Sequence, residues 1–140
     1  MSNALRKLSA HPRFLARVLQ VDAVATGATA LLLAAGADLL APLLQLPAVL
    51  LRGAGLGLVP FVVAIALLSR KPTVPPRAMA AVVAINAAWV LASVWLVLAG
   101  PVQPSVLGTV FVLAQAGAVA VFAELGWFGL RAARRQAAGA

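Results

Sequence analysis

The stretch AMAAVVAINAAWVLASVWLVLA, residues 78–99, decides the fold, because it carries no charged residue and is long enough to cross a bilayer. A membrane-spanning helix needs about 20 mainly apolar residues. Three further apolar stretches of similar length occupy residues 14–36, 48–68 and 105–130. None of them shows the period of two that marks a membrane β-strand. Because backbone amides in lipid must bond within the chain, the sequence predicts four transmembrane helices.

The composition supports the same class of protein. Of the 140 residues, 64% are apolar and 10% are charged, and the mean hydropathy is +1.04. Soluble domains are roughly half apolar and about a quarter charged. We therefore expect an all-α transmembrane four-helix bundle that forms a single domain over residues 1–140. With no cysteine and one histidine, the chain offers no thiolate nucleophile and no set of metal ligands, and we predict neither a metal nor a cofactor.

Turn-forming residues separate the predicted helices. Gly36 ends the first apolar stretch, and Pro47 begins the second. The connection between them, residues 38–47, is too apolar for a water-exposed loop, so we interpret it as an interfacial or re-entrant segment on the outer face. Asp38 and Arg52 are spaced to pair across this connection, and an exposed pair of this kind contributes little to stability.

The basic residues predict the orientation. Ten of the eleven lie on one side of a topology with an even number of spans: Arg6, Lys7, Arg13, Arg17, Arg70, Lys71, Arg77, Arg131, Arg134 and Arg135. The positive-inside rule therefore places both termini in the cytoplasm. The net charge of +8 needs no nucleic-acid partner, because these residues stand singly or in pairs at helix ends without interleaved aromatic residues.

Small residues at four-residue spacing predict where the helices pack, since helices in lipid associate through close backbone approach. The second predicted helix carries one such set, Gly53 and Gly57. The third carries a longer one, Ala80, Ala84, Ala88 and Ala92. We expect tight packing within the bundle at these positions. Formation of a homo-oligomer through Gly53 and Gly57 remains an alternative.

Polar residues within the predicted spans are the candidate binding residues. A first layer lies about 8–14 Å from the nearest cytoplasmic arginine and consists of Asp22, Asn86 and Glu124. A second layer, about 18–24 Å deep, consists of Thr29, Ser93 and Gln115. Two interpretations remain open. The side chains are interhelical hydrogen-bond clips, or the first layer lines a cytoplasm-facing pocket or proton-binding site.

The spacing of these residues also predicts a weak internal duplication. Asp22 precedes Gly36 by 14 residues, and Asn86 precedes Gly100 by the same interval. The first and third predicted helices would then be equivalent members of a parallel two-helix repeat.

The segments NAAWVLAS at residues 86–93 and LAQA at residues 113–116 resemble a group of small bacterial four-helix integral membrane proteins. The resemblance extends over most of the chain. It implies a multi-pass protein of the bacterial cytoplasmic (inner) membrane, and it implies no activity, cofactor or site.

The leading functional prediction is a non-enzymatic accessory subunit or lipophilic-ligand-binding bundle. Its expected partners are the lipid bilayer and either another membrane protein or further copies of this chain. The alternative is a small oligomeric proton-coupled transporter in which Asp22 and Glu124 share a proton. A membrane enzyme would need a nucleophile or a metal-ligand set, and these residues supply neither.

Overall fold

A computed structural model describes residues 3–140, apart from the side chain of Leu5. Over this range the chain is helical and contains no strand. The helices are α1 (Asn3–Ser9), α2 (Phe14–Leu44), α3 (Ala48–Ser69), α4 (Pro76–Ala99) and α5 (Val106–Ala138). Helices α2 to α5 are each long and apolar enough to cross a membrane, which is compatible with a multi-pass membrane protein. The predicted all-α class with four long apolar helices is confirmed.

Helix α2 does not end at Gly36 as predicted but continues to Leu44. A glycine within a helix costs only about 1 kcal/mol relative to alanine, and the leucines and alanines around it sustain the helix. Gln45 caps the helix directly after Leu44. Its φ of 52° is left-handed, and its N–H donates to the Ala41 carbonyl. Residues 38–44 are therefore the last turns of α2, which contradicts a re-entrant segment at residues 38–47, whereas an interfacial position of these residues stays a prediction.

Helix α5 is also longer than predicted, because it extends past residue 130 to Ala138. Arginine, alanine and glutamine favour helix, so the helix continues after the apolar stretch has ended. At its start, the Ser105 side chain accepts a hydrogen bond from the Gly108 N–H at 3.0 Å and caps the first turn. With 33 residues, α5 is about 50 Å long and exceeds a hydrocarbon core of about 30 Å.

The four long helices are arranged as two hairpins. Helix α2 packs mainly against α3, α4 packs mainly against α5, and the hairpins meet along α2 and α5. In residues 3–140 the backbones of α3 and α4 do not approach each other as closely, and these two helices meet through side chains of the apolar clusters described below. The predicted ion pair between Arg52 and Asp38 forms across the α2–α3 hairpin at 2.7 Å. The hairpins therefore approach each other more closely along α2 and α5 than between α3 and α4.

Two buried apolar clusters lie at opposite ends of the bundle. One lies near the α2–α3 connection and contains Leu33, Ala37, Leu44, Leu46, Leu51 and Val112. The other lies near the α3–α4 connection and contains Leu19, Ile65, Met79, Val82 and Leu130. The polar residues of the spans lie between these clusters.

The predicted packing role of the GxxxG step on α3 is not found within residues 3–140. Gly53 and Gly57 are exposed, and a Cβ atom at either would meet nothing within 4 Å. The close approach occurs at Gly55, where a Cβ atom would lie 2.5 Å from the Ala34 nitrogen and 2.8 Å from the Ala30 carbonyl oxygen. A step of two residues turns about 200° around a helix, so Gly55 faces α2 while its neighbours face outward.

The predicted alanine ridge of α4 is likewise not buried. Ala84, Ala88 and Ala92 are exposed and Ala80 is half-buried. Helix α4 instead buries Met79, Val82, Asn86 and Ser93. Since each buried position is offset from the ridge by one or two residues, most of the ridge lies outside the buried face of α4, and Ala80 packs at the edge of that face.

Candidate functional site

The structure brings Asp22 and Asn86 together in the interior. The Asn86 Nδ2 atom donates to Asp22 Oδ2 at 3.0 Å and joins α2 to α4. The Thr26 hydroxyl donates to Asp22 Oδ1 at 2.7 Å from one turn further along α2. Asp22 is 1% exposed and Asn86 4% exposed, so the hydrogen bonds replace contacts with water.

Thr26 is a member of this cluster that is not among the candidate residues predicted from the sequence. A hydroxyl four residues after a buried carboxylate lies on the same face of the helix, and that spacing was the available signal. In the part of the chain that the structure describes, no buried side-chain nitrogen or oxygen lacks a hydrogen-bond partner. The cluster therefore has the features expected of an interhelical clip.

Glu124 lies apart from Asp22 and Asn86. Its side chain is exposed, and within residues 3–140 it forms no hydrogen bond or ion pair. Helix α5 buries Gly126, two residues later, which is on the opposite side of the helix. Residues at one depth need not share one face, and the predicted pocket of three polar residues is not formed.

Two residues of the second predicted layer do meet, in a ring of hydrogen bonds between α4 and α5. The Trp89 Nε1–H donates to Gln115 Oε1 at 2.7 Å. Gln115 Nε2 donates to Ser93 Oγ at 3.1 Å and to the Val112 carbonyl at 3.0 Å. The Ser93 hydroxyl closes the ring by donating to the Trp89 carbonyl at 2.8 Å.

Thr29, the third residue of that layer, does not join the ring. Its hydroxyl donates to the Ala25 carbonyl one turn earlier at 3.0 Å, which is a local bond within α2. Ser93 makes the same kind of bond to Trp89 on α4. The proposed equivalence of the two helices stays a prediction.

The ring lines a cleft of about 260 Å³ between the two hairpins, which we call the α3/α4 cleft. Its walls are mainly apolar and include Leu33, Leu51, Ala54, Leu96, Phe111 and Val112. Its polar groups come from Trp89, Ser93 and Gln115. Leu50 and Trp95, which also line it, are exposed, so the cleft opens on the side of the bundle.

A second pocket of about 130 Å³ is lined mainly by residues of α2 and α5, and it reaches the surface at the exposed Ala25 and Ala118. It is lined by Thr26 and Thr29 of α2 and shares Trp89 and Gln115 with the α3/α4 cleft. The Trp89–Gln115 hydrogen bond therefore lies between the cleft and the second pocket, and the Asp22 cluster borders the second pocket through Thr26.

Comparisons with protein-family models, with curated proteins and with solved structures find no match to this chain. The resemblance to small bacterial four-helix membrane proteins stays a prediction. The geometry of the cleft and of the two hydrogen-bond clusters is the basis for the proposals below.

Breaking the ring should destabilise the α4–α5 hairpin. Gln115→Leu leaves the half-buried Trp89 N–H without its acceptor, and we expect a loss of about 1 kcal/mol in the free energy of unfolding. The measurement is unfolding in detergent titrated with a denaturing surfactant. Gln20→Leu is the matched control, since Gln20 is exposed and makes no hydrogen bond within residues 3–140. Equal losses in both variants would contradict the role of the ring.

Proposed function

We propose that the protein is a non-enzymatic, multi-pass protein of the bacterial cytoplasmic membrane that binds a lipophilic ligand in the α3/α4 cleft. The observation that carries this proposal is the cleft itself, which is apolar along most of its walls and opens sideways. Its volume is close to the lower end of small-molecule pockets, which begins at about 300 Å³. In a membrane, the side opening would face the acyl chains and admit a ligand dissolved in the bilayer.

The distribution of polar groups in the cleft favours an amphiphilic ligand with one polar atom. Trp89, Ser93 and Gln115 supply the only non-carbon side-chain atoms among the lining residues that the structure describes, apart from the indole of Trp95. A carbonyl or hydroxyl group placed at this wall would find both donors and acceptors, while a hydrocarbon or ring system would contact the leucines and Phe111. Suitable compounds are fatty acids, isoprenoids and small quinone-like molecules.

Occupation of the cleft can be tested with a fluorescent polyene fatty acid that accepts energy from tryptophan. We expect Ala92→Phe, which puts a phenyl ring into the cleft from an exposed position, to weaken binding at least about tenfold, or 1.4 kcal/mol. Ala88→Phe is the matched control, because Ala88 is also exposed on α4 one turn earlier and does not line the cleft. Equal affinity in both variants would contradict the proposal.

A role as an accessory subunit of another membrane protein is supported by a different set of residues, the exposed small residues of α3 and α4. The small residues Gly53, Gly57, Ala84 and Ala88 are exposed on α3 and α4 and would allow close approach of another helix. A second polypeptide that copurifies in fixed stoichiometry and is lost on Ala88→Phe would favour this form. The proton-sharing transporter is not proposed, because Glu124 is exposed and separate from Asp22.

We also propose that both termini lie in the cytoplasm, on the strength of the basic residues at that end. The chain has no cysteine, so single introduced cysteines report unambiguously. We expect a membrane-impermeant thiol reagent to label Gln103→Cys in intact cells, or in spheroplasts where an outer membrane blocks entry. It should label Ala140→Cys only after lysis. The reverse pattern would overturn this orientation.

A further inference from the structure

A groove of about 340 Å³ lies between α1 and the last turns of α5, away from the α3/α4 cleft. Its polar walls are formed by Arg6 of α1 and by Arg131, Arg135 and Gln136 of α5, and Phe128 lies at one end. Within residues 3–140, Arg52–Asp38 is the sole ion pair, and it lies elsewhere. The three guanidinium groups around the groove therefore have no acidic side chain within ion-pair distance in that range.

The fold holds these arginines together despite their mutual repulsion. Arg131 and Arg135 are one turn apart on the same face of α5, an arrangement that destabilises a helix when the charges are alike. Arg6 of α1 is the third arginine of the groove. The end of α1 is joined to α5 by a hydrogen bond that Gln136 Nε2 donates to the Ala10 carbonyl at 3.3 Å. A bound anion would offset this repulsion.

The position of the groove along α5 indicates which anion it suits. The apolar stretch of the chain ends at residue 130, so Arg131 and Arg135 begin where the hydrocarbon core would end. Phe128, one turn earlier, lies on the apolar side of this boundary. From Phe128 to Arg135 the lining changes from apolar to basic, which matches the change from acyl chain to phosphate in a phospholipid.

We infer that this groove, the Arg6/Arg131/Arg135 groove, binds the headgroup phosphate of an anionic phospholipid. Guanidinium groups form paired, charge-assisted hydrogen bonds with phosphate oxygens, so three of them can enclose one phosphate. The glycerol and first acyl carbons would contact Phe128. The inference concerns a different end of the bundle from the proposed ligand cleft and does not depend on it.

The test measures lipid binding to the purified full chain in a neutral detergent. Phosphatidylglycerol and phosphatidylcholine with the same acyl chains are titrated separately, and retained lipid is counted by native mass spectrometry. We expect one phosphatidylglycerol to be retained per chain in preference to phosphatidylcholine. Arg131→Gln with Arg135→Gln should weaken its binding about 25-fold, or fivefold for each arginine. Equal retention of the two lipids would overturn the inference.

Single variants distinguish binding in the groove from attraction of the lipid to the overall basic charge of this end of the protein. Arg134 is exposed on the same turn of α5 but does not line the groove, so Arg134→Gln removes the same charge from outside it. We expect Arg135→Gln to weaken phosphatidylglycerol binding and Arg134→Gln to leave it nearly unchanged. Equal losses in the two variants would overturn the inference.

Inorganic phosphate distinguishes a lipid site from a site for the free ion. At constant ionic strength, we expect phosphate to leave phosphatidylglycerol bound, because the lipid also contacts Phe128. Displacement of the lipid by phosphate would overturn the assignment to phospholipid. Arg131 and Arg135 are both exposed, so their replacement should leave the fold intact. Unchanged thermal unfolding of the Arg131→Gln, Arg135→Gln double variant will show that its loss of binding is not a loss of fold.

Discussion

Gly55→Ala should separate α2 from α3 and lower the free energy of unfolding by about 3 kcal/mol, the upper end of the usual cost of overpacking. The added methyl group would lie 2.5 Å from the Ala34 nitrogen and 2.8 Å from the Ala30 carbonyl oxygen. These are backbone atoms of a regular helix, so they cannot move aside as the end of a flexible side chain can. Unfolding of the purified protein with a denaturing surfactant measures this loss of free energy, and we also expect a lower midpoint of thermal unfolding.

The matched control is two residues away on the same helix. Gly53→Ala adds the same methyl group where nothing lies within 4 Å, and alanine favours helix over glycine by about 1 kcal/mol. We therefore expect Gly53→Ala to be neutral or slightly stabilising. If Gly53→Ala were the more damaging change, the GxxxG step and not Gly55 would be the packed face, and the α2–α3 arrangement described here would be wrong.

The number and kind of the helices could be predicted because these features depend on linear properties of the sequence. Uninterrupted apolar stretches as long as residues 78–99 can be satisfied in lipid only by a helix. The Arg52–Asp38 pair could be predicted for the same reason, since the short connection after Leu44 brings the two helix ends together. Predictions of this type need no knowledge of which side of a helix faces its neighbour.

The packed faces could not be predicted in the same way. The largely exposed alanine ridge on α4 and the exposed Gly53 and Gly57 show that small-residue spacing identifies a face but not what covers it. Glu124 illustrates the same limit for polar residues, because it shares a depth with Asp22 but not an orientation. The depth of a residue along its helix follows from its position in the sequence, whereas the direction in which its side chain faces depends on how all four helices pack.

The helix ends were missed for a further reason. Gly36 and the arginines after residue 130 mark the ends of apolar stretches, and the end of an apolar stretch is not the end of a helix. A helix tolerates both, so α2 continues to Leu44 and α5 to Ala138. The extra turns of α5 form one wall of the Arg6/Arg131/Arg135 groove, which therefore could not be recognised before the structure was known.

Asp22→Leu should lower the free energy of unfolding by about 2 kcal/mol, because it leaves the buried Asn86 amide without an acceptor. Thr26 loses its partner as well, but its hydroxyl can turn to the backbone carbonyl one turn earlier. Asp22→Asn should cost much less. The new side chain can accept from Asn86 through its oxygen and donate to the Thr26 hydroxyl through its nitrogen, which preserves both hydrogen bonds. Surfactant-titrated unfolding of the two variants measures the difference.

Glu124→Leu is the matched control for Asp22→Leu, and we expect it to be neutral because Glu124 is exposed and makes no side-chain hydrogen bond in residues 3–140. If Asp22→Asn were as damaging as Asp22→Leu, the Asp22 cluster would depend on the carboxylate charge and not only on hydrogen-bond geometry. A folded Asp22→Asn variant also tests function, because it removes the ionisable group from an intact bundle. Unchanged binding of the fatty-acid probe in that variant would assign ligand binding to the α3/α4 cleft and a structural role to Asp22.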